Sequence, residues 1–375
     1  MMHEETAVVI PYYRKELSET EKISLKQCFK VLSKYPIVLI IPDSMEEPIC
    51  LYRNVIYEKV PPEWLQSVAS YNQMMLNLKF YERLKEYKYI LIYQLDAFVF
   101  SDQLKKFCQY GFDYIGAPWL KGVRHYKNLS RCVWHVGNGG FSLRKVETFI
   151  RILSNINLEN SDVIEDVFWS SCEGEDFLVA PINIALQFSF ECDVQACYEL
   201  NDRQLPFGCH AWEKYDYDFW KPHIEGEGYK LLAGHKEGAD TGRDYRCLEL
   251  DCAIIRRSYE QYFRCRNKEI FIWGAGILGE ECGWLLKKCG INTFRYVDGS
   301  GSKQGRRLWD ILIEKPEALM MKPDKKHIVV IIAIKEGEKE LLDTLESKGY
   351  RYMQNVFLYM SWIERLNENV VERIR

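Results

Sequence analysis

The chain lacks an excess of positive charge: 50 Lys and Arg stand against 54 Asp and Glu, a formal net charge of −4. That argues against a nucleic-acid protein, whose footprint is a strongly basic face. No apolar run approaches the roughly 18 residues that a membrane-spanning helix needs. The 13 cysteines are an odd number and include no Cys-x-x-Cys pair. Scattered thiols of this kind fit reduced cysteines in the cytosol better than a disulfide framework or a zinc ribbon. The opening stretch, MMHEETAVVIPYY, carries acids and runs straight into an apolar segment, which is not the pattern of a secretion signal. A cytoplasmic protein is expected, with peripheral contact at the inner face of a membrane left open.

What the chain does have is core-forming material. Of 375 residues, 47% are hydrophobic and 28% charged, enough for one large domain or two of ordinary size and unlike a disordered chain. Aromatics reach 14%. Flat rings with polar tips can line a sugar-binding cleft, and they can equally fill a core.

Residues 7–13, AVVIPYY, read as a strand, and a Ser-x-x-Glu start at Ser18 to Glu21 opens an amphipathic helix with Ile23, Leu25, Phe29 and Leu32 on its apolar face. PIVLIIP then has the continuous apolar character of a buried parallel strand, which completes a βαβ unit. A helix is expected over 68–87, a strand over ILIYQLDAFVF (90–100), a helix ending at Gly111, and a short strand in DYIGAP. Residues 1–255 are therefore expected to form one α/β domain. From 268 the texture restarts as strand, Gly-rich turn, helix, strand, so 256–267 reads as a linker and 268–375 as a smaller α/β unit.

Four stretches of the first domain could carry chemistry. Asp96 is the one carboxylate in ILIYQLDAFVF, where the strand runs out; ligands of open α/β sheets bind at the carboxyl ends of strands, and an acid there can hold a cation. In HVGNGGFSLRK, Gly137, Gly139 and Gly140 let the backbone pass close to a ligand. In IEDVFWS, Glu165 and Asp166 are adjacent, so at most one faces a substrate as a general base; Glu175 and Asp176 are the rival pair. In LPFGCHAW, His210 is either a satisfied core residue or a ligand, and Cys209 beside it has no cysteine partners at zinc spacing.

In the C-terminal unit, Gly274-x-Gly276-x-x-Gly279 follows the strand EIFIW and opens a helix, and Asp298 comes about twenty residues later, where an acid meets a ribose hydroxyl in dinucleotide sites. A nucleotide or NAD site is one expectation for this loop, and a retained fold with a vestigial loop is the other.

As an ordered set, YILIYQLDAFVF, DYIGAPW, VGNGGFSLRK, EDVFWS, APINIALQFSFE and PFGCHAW resemble the blocks of a bacterial family known as a domain of unknown function, and more widely the GT-A glycosyltransferases. The resemblance spans roughly residues 5–225. It implies a GT-A-like mixed-sheet α/β domain followed by a smaller Rossmann-like unit. It also implies a hexosyltransferase-type enzyme that takes a nucleotide-sugar donor to a glycan or lipid-linked glycan of the cell envelope. On this resemblance Asp96 and His210 hold a divalent cation, Mn²⁺ or Mg²⁺, and Asp166, with Glu165 beside it, is the base of an inverting transfer. Asn138, Gly139 and Gly140 meet donor sugar and acceptor, Pro11 and Tyr12 hold the nucleotide base, and Asn72 and Gln94 assist. The usual Asp-x-Asp pair is degenerate, since Gln94 and Phe98 flank Asp96 at the alternate positions. A non-catalytic nucleotide-sugar sensor and an NAD-dependent nucleotide-sugar enzyme are the alternative functions. Oligomeric state is not set by these features.

Overall fold

The computed structural model describes residues 4–48, 55–120, 123–124, 132–133, 136–156, 158, 163–172, 177–231, 252–265, 267–308, 311–334 and 336–362. Two compact units make up the chain, the second holding the C-terminal sheet, and each is taken by itself.

The first helix starts as its sequence dictates. Ser18 Oγ accepts the Glu21 amide at 3.1 Å and Glu21 Oε2 accepts the Ser18 amide at 2.7 Å, a reciprocal capping box. This helix, α1 (Glu19–Leu32), joins β1 (Glu4–Pro11) to β2 (Ile37–Pro42), and the strands pair in parallel with Val8 opposite Ile37. β3 (Val55–Val60) extends that edge in parallel, and β4 (Tyr87–Tyr93) lies parallel on the other side of β1.

Two local expectations are corrected. The helix expected over 68–87 is two helices, α2 (Val68–Met75) and α3 (Leu78–Glu82), because the Asn77 side chain caps a fresh start by accepting the Lys79 amide at 2.9 Å. The run 90–100 is not one strand either. β4 ends at Tyr93, a turn closes with the Ala97 amide donating to the Gln94 carbonyl at 2.9 Å, and β5 (Phe98–Val99) follows.

After α4 (Leu104–Gln109), followed by Tyr110 and by Gly111 at φ +80°, come β6 (Tyr114–Ile115) and β7 (Ala117–Pro118). β8 (Val123–Arg124) and β9 (Cys132–Val133), which are counted with the second unit, pair with each other, and β10 (Val136–Gly137) pairs with β7. β11 (Phe141–Lys145) then runs antiparallel between β4 and β6. The sheet order β3-β2-β1-β4-β11-β6 is thus mixed, and this unit has the α/β class and the mixed sheet expected from the sequence. Helices α5 (Val146–Leu153), α6 (Glu165–Ser171), α7 (Ile182–Phe188), α8 (Val194–Leu200) and α9 (Tyr217–Gly226) follow. β12 (Ser189–Phe190) and β13 (Gly208–Cys209) form a small sheet with β5. Both faces of the main sheet are covered, which is why residues 7–10, 37–41 and 89–93 of β1, β2 and β4 are apolar or aromatic throughout and buried. Val8 and Ile10 of β1 pack with Phe29 and Leu32 on one side, and Ala7 and Val9 with Phe80 and Phe149 on the other.

In the second unit, α10 (Cys252–Tyr262) precedes β14 (Glu269–Trp273), α11 (Ile277–Lys288) and β15 (Phe294–Val297). Then come β16 (Arg307–Leu308), β17 (Ile311–Glu314), α12 (Glu317–Met320), β18 (Ile328–Ile332), α13 (Glu338–Ser347) and β19 (Val356–Leu358). The order is β16-β17-β15-β14-β18-β19, with β16–β17 antiparallel and the other pairs parallel. Among the described residues, no helix is long and apolar enough to cross a membrane.

Candidate functional site

The turn that carries Asp96 is braced from below by α1. Ser24 Oγ donates to the Ala97 carbonyl, and Gln27 Nε2 donates to the Val99 carbonyl at 2.8 Å. Ser24 and Gln27 are fully buried, and a buried polar group needs such partners. The Tyr93 hydroxyl, 3.0 Å from the Ser24 carbonyl and 3.2 Å from that of Ala97, adds a third tie. Asp96 therefore leaves the sheet on a fixed backbone, with its side chain 45% exposed.

His210 follows β13, and its amide donates to the Phe190 carbonyl at 3.0 Å. Its ring stands between two acids. Nε2 lies 3.1 Å from Asp96 Oδ1 and 3.2 Å from Gln94 Oε1, while Nδ1 lies 3.1 Å from Glu191 Oε1. Burial pulls the imidazole pKa down, but the Asp96 charge and the contacts to Asp96 and Glu191 outweigh it and raise it to about 10. Burial pushes Asp96 up, and the charge of His210 outweighs that and holds it below its ordinary value. Asp96 Oδ1 is shut from solvent, with His210 Nε2 as its charged neighbour. Glu191 is on the far side of the ring, and among the described residues no three His, Cys, Asp or Glu side chains converge on one point.

Gly139 and Gly140 lie directly against this pair and the start of α6. A Cβ on Gly140 would sit 2.0 Å from His210 Nε2, and one on Gly139 would sit 1.7 Å from Glu165 Oε1. Asn138, at φ +89°, shapes the turn by accepting the Gly140 amide on Oδ1 at 2.9 Å. Its own carbonyl accepts the Tyr114 hydroxyl at 3.1 Å. Asn138 Nδ2 is buried beyond the reach of a water molecule, so this side chain holds the loop in place.

At α6, Glu165 is paired with Arg144, which is fully buried in β11. The guanidinium Nη2 lies 3.1–3.2 Å from the Glu165 carboxylate, and Nη1 donates to the Tyr81 hydroxyl at 2.8 Å. Asn72 pins the same helix start, donating to the Val163 carbonyl and accepting the Glu165 amide, each at 2.6 Å. Asp166, 7% exposed, accepts the Val167 amide on Oδ1 at 2.8 Å. The Tyr71 hydroxyl lies among Glu165, Arg144 and Gln94, and burial raises its pKa.

Gln94, Asp96, Gly139, Gly140, Glu165 and His210 are thus brought together, with Asn72, Asn138 and Asp166 attached through their neighbours. Pro11 and Tyr12 are placed differently. Pro11 ends β1 opposite Ile40, and Tyr12 is 8% exposed in the core, whereas the exposed ring at that strand end is Tyr13. Glu175 and Asp176 lie outside the described residues. Arg144, Glu191, Ser24, Gln27 and Tyr71 were not singled out from sequence. Glu191 had a signal, since it ends the apolar alternation FSFE much as Asp96 interrupts its own run.

In the second unit, Gly274 takes φ +112°, and a Cβ on Gly279 would meet the Gly274 carbonyl oxygen at 1.8 Å, so both positions demand glycine. Gly276 precedes α11. The Asp298 carboxylate ties the glycine loop to its own loop. Oδ2 accepts the Ala275 amide at 2.7 Å and pairs with Lys303 Nζ at 3.2 Å, and Oδ1 accepts the Ser300 amide at 2.8 Å.

Residues 54–210 match the family described as "Protein of unknown function (DUF5672)". No curated protein matches the chain. Similar solved structures include the apo-form glycosyltransferase GlyE of Streptococcus pneumoniae TIGR4, at 11% identity and a TM-score of 0.35, covering 99% of each chain. Another is a glycosyltransferase involved in glycosylation of the major capsid of PBCV-1, at 11% identity and a TM-score of 0.34, covering 59% of this chain and 99% of that one. A third is RSP, a Rex-family repressor, at 15% identity and a TM-score of 0.22, covering 38% of this chain and 75% of that one.

Proposed function

We propose that the chain is an inverting, hexosyltransferase-type glycosyltransferase, acting in the cytoplasm or at the inner face of the membrane, that moves a sugar from a nucleotide-sugar to a hydroxyl of a glycan or lipid-linked glycan. On this proposal residues 1–255 carry the reaction, 256–267 link, and 268–375 form an accessory Rossmann-like nucleotide-binding unit. The observation that carries the reading is the Asp96–His210 pair at the carboxyl end of β4, the end at which open α/β sheets bind ligands.

These residues suit a divalent cation, Mn²⁺ or Mg²⁺. Asp96 Oδ1 faces His210 Nε2 at 3.1 Å, so a cation here would take the place of the proton between them, and Glu191 takes the far nitrogen of His210, as acids behind ligating histidines do. When bound, the cation supplies Lewis-acid stabilisation for the departing diphosphate. Asp166 takes the acceptor's proton. The acceptor oxygen bonds to the anomeric carbon as the bond to the diphosphate oxygen breaks, and that electron pair leaves with the diphosphate. Asp166 is preferred to Glu165 because a carboxylate locked to a guanidinium is a weak base. Gly139 and Gly140 keep the loop close enough for His210 and Glu165 to hold their positions.

A thermal-shift panel of nucleotide-sugars with and without Mn²⁺, followed by a transfer assay on the full chain, tests this. Mn²⁺-dependent stabilisation by one nucleotide-sugar and turnover of it are expected. A panel with no response would overturn the proposal.

A further inference from the structure

The turn that carries Asp96 is held at two carbonyls, and each tie has a second end. Ser24 and Gln27, three residues apart on one face of α1, donate to the Ala97 and Val99 carbonyls. Both then receive a hydrogen bond from much later chain. Trp212 Nε1 donates to Ser24 Oγ at 3.5 Å, and the Tyr229 hydroxyl donates to Gln27 Oε1 at 3.0 Å from 202 residues away. The Tyr229 ring also stands edge to face with that of Phe98, the residue between the two held carbonyls, with centroids 5.9 Å apart.

The approach of Tyr229 is built into the chain after α9. Lys30, three residues beyond Gln27 on α1, donates to the Glu227 carbonyl at 3.2 Å and pairs with Glu227 Oε2 at 2.8 Å. Gly228 then takes φ +96°. Leu231 is buried, and its amide donates to Glu225 Oε1 at 3.3 Å. Residues 227–231 thus form a strap fastened along α1 at Lys30 and at Gln27.

We propose that Tyr229 is a positioning residue for the donor site, acting through Gln27 on the Asp96 turn. This rests on the reading of the carboxyl end of β4 as the nucleotide-sugar site. Gln27 is fully buried, and the Tyr229 hydroxyl is the one donor to its Oε1 among the described residues. That bond decides which way the amide faces. With Oε1 taken by the hydroxyl, Nε2 is presented to the Val99 carbonyl. Without the hydroxyl, Oε1 becomes a buried acceptor with no partner, a costly state that the amide escapes by turning. A turned amide sets Oε1 against the Val99 carbonyl, two acceptors face to face, and the turn gives way. The position of Asp96 is therefore set in part by a hydroxyl that is bonded to α1 rather than to the turn.

The test uses the full chain, with hydrogen exchange over residues 94–100 and binding of uridine, guanosine and thymidine diphosphates in Mn²⁺ buffer as readouts. Tyr229→Phe keeps the ring and removes the hydroxyl. It should speed exchange over 94–100 by about tenfold or more, and weaken the diphosphate that the wild type binds by about the same factor. In transfer the donor KM should rise about tenfold, with kcat and the acceptor KM within about twofold, whereas a general loss of folded protein lowers kcat and leaves KM alone. Gly228→Ala, whose methyl would meet nothing within 4 Å among the described residues, should reproduce these effects through its left-handed dihedral alone, and it carries the test if Tyr229→Phe folds poorly. Adding Tyr229→Phe to Gln27→Met should change nothing further. Wild-type exchange and binding in both Tyr229→Phe and Gly228→Ala, or an undiminished effect of Tyr229→Phe beside Gln27→Met, would overturn the proposal. If exchange responds as expected and no diphosphate binds the wild type, the hold of Tyr229 on the turn stands and the nucleotide-sugar reading falls.

Discussion

The Arg144 guanidinium and the Glu165 carboxylate form a buried ion pair at 3.1 Å, one residue before Asp166. The pair removes Glu165 from chemistry and fixes the start of α6. Breaking a buried pair from one side strands a charge and costs about 3–5 kcal/mol, whereas replacing both partners by apolar groups is often near neutral. Arg144→Met and Glu165→Met should each lower the urea stability of the N-terminal unit by that order. The double variant should be more stable than either single one, and a double variant whose loss equals the sum of the singles would refute the pairing.

Gly139 and Gly140 should fail as alanines for different reasons. A Cβ on Gly140 collides with His210 Nε2, and one on Gly139 collides with Glu165 Oε1. Neither target can swing away freely, because Glu191 holds the imidazole and Arg144 the carboxylate. Gly140→Ala should abolish Mn²⁺-dependent donor binding in calorimetry and lower the melting temperature less than Gly139→Ala, because the Asp96 end of the pair it disturbs is 45% exposed. Gly139→Ala should lower the melting temperature, and equal effects on both readouts from the two variants would contradict this division.

Asp166 and Glu165 are separated by turnover. Asp166→Asn should lower kcat about 100- to 10,000-fold, the usual contribution of a general base, while the donor Kd stays within about twofold. A variant that kept full turnover would remove Asp166 from the reaction.

The legible parts of this molecule were those written in neighbouring residues. Ser18 and Glu21 predicted their capping box, and the strand–glycine–helix pattern at 269–288 predicted β14 and α11, because these signals are local. The break at Asn77 was hidden, since residues 68–87 keep a helical pattern and one side-chain cap decides the interruption. Arg144 and Glu165 are 21 residues apart, and His210 and Asp96 farther still. No periodicity encodes such pairs. His210 reaches Asp96 because β13 pairs antiparallel with β5, and Glu165 reaches Arg144 because Asn72 fastens the start of α6. Ser24 and Gln27 were missed for a related reason: polar residues on a helix read as its solvent face until the Asp96 turn is placed over them.

Asp298 illustrates the same point in the second unit and yields the last prediction. By sequence it stands where an acid meets a ribose, yet its oxygens accept the Ala275 and Ser300 amides and pair with Lys303. Two backbone amides stranded by its removal should cost about 1–3 kcal/mol each if they stay out of water. The Lys303 ammonium, 41% exposed, contributes at most about 1 kcal/mol. Asp298→Ala should therefore destabilise the C-terminal unit by several times more than Lys303→Ala, with Asp298→Asn intermediate because its Oδ1 can still accept one amide. Hydrogen exchange at Ala275 and Ser300 reads this directly. Both amides should lose protection in Asp298→Ala and keep it in Lys303→Ala. Unchanged protection in Asp298→Ala would mean the glycine loop holds its shape without the acid, and would return Asp298 to the ligand-binding role its position first suggested.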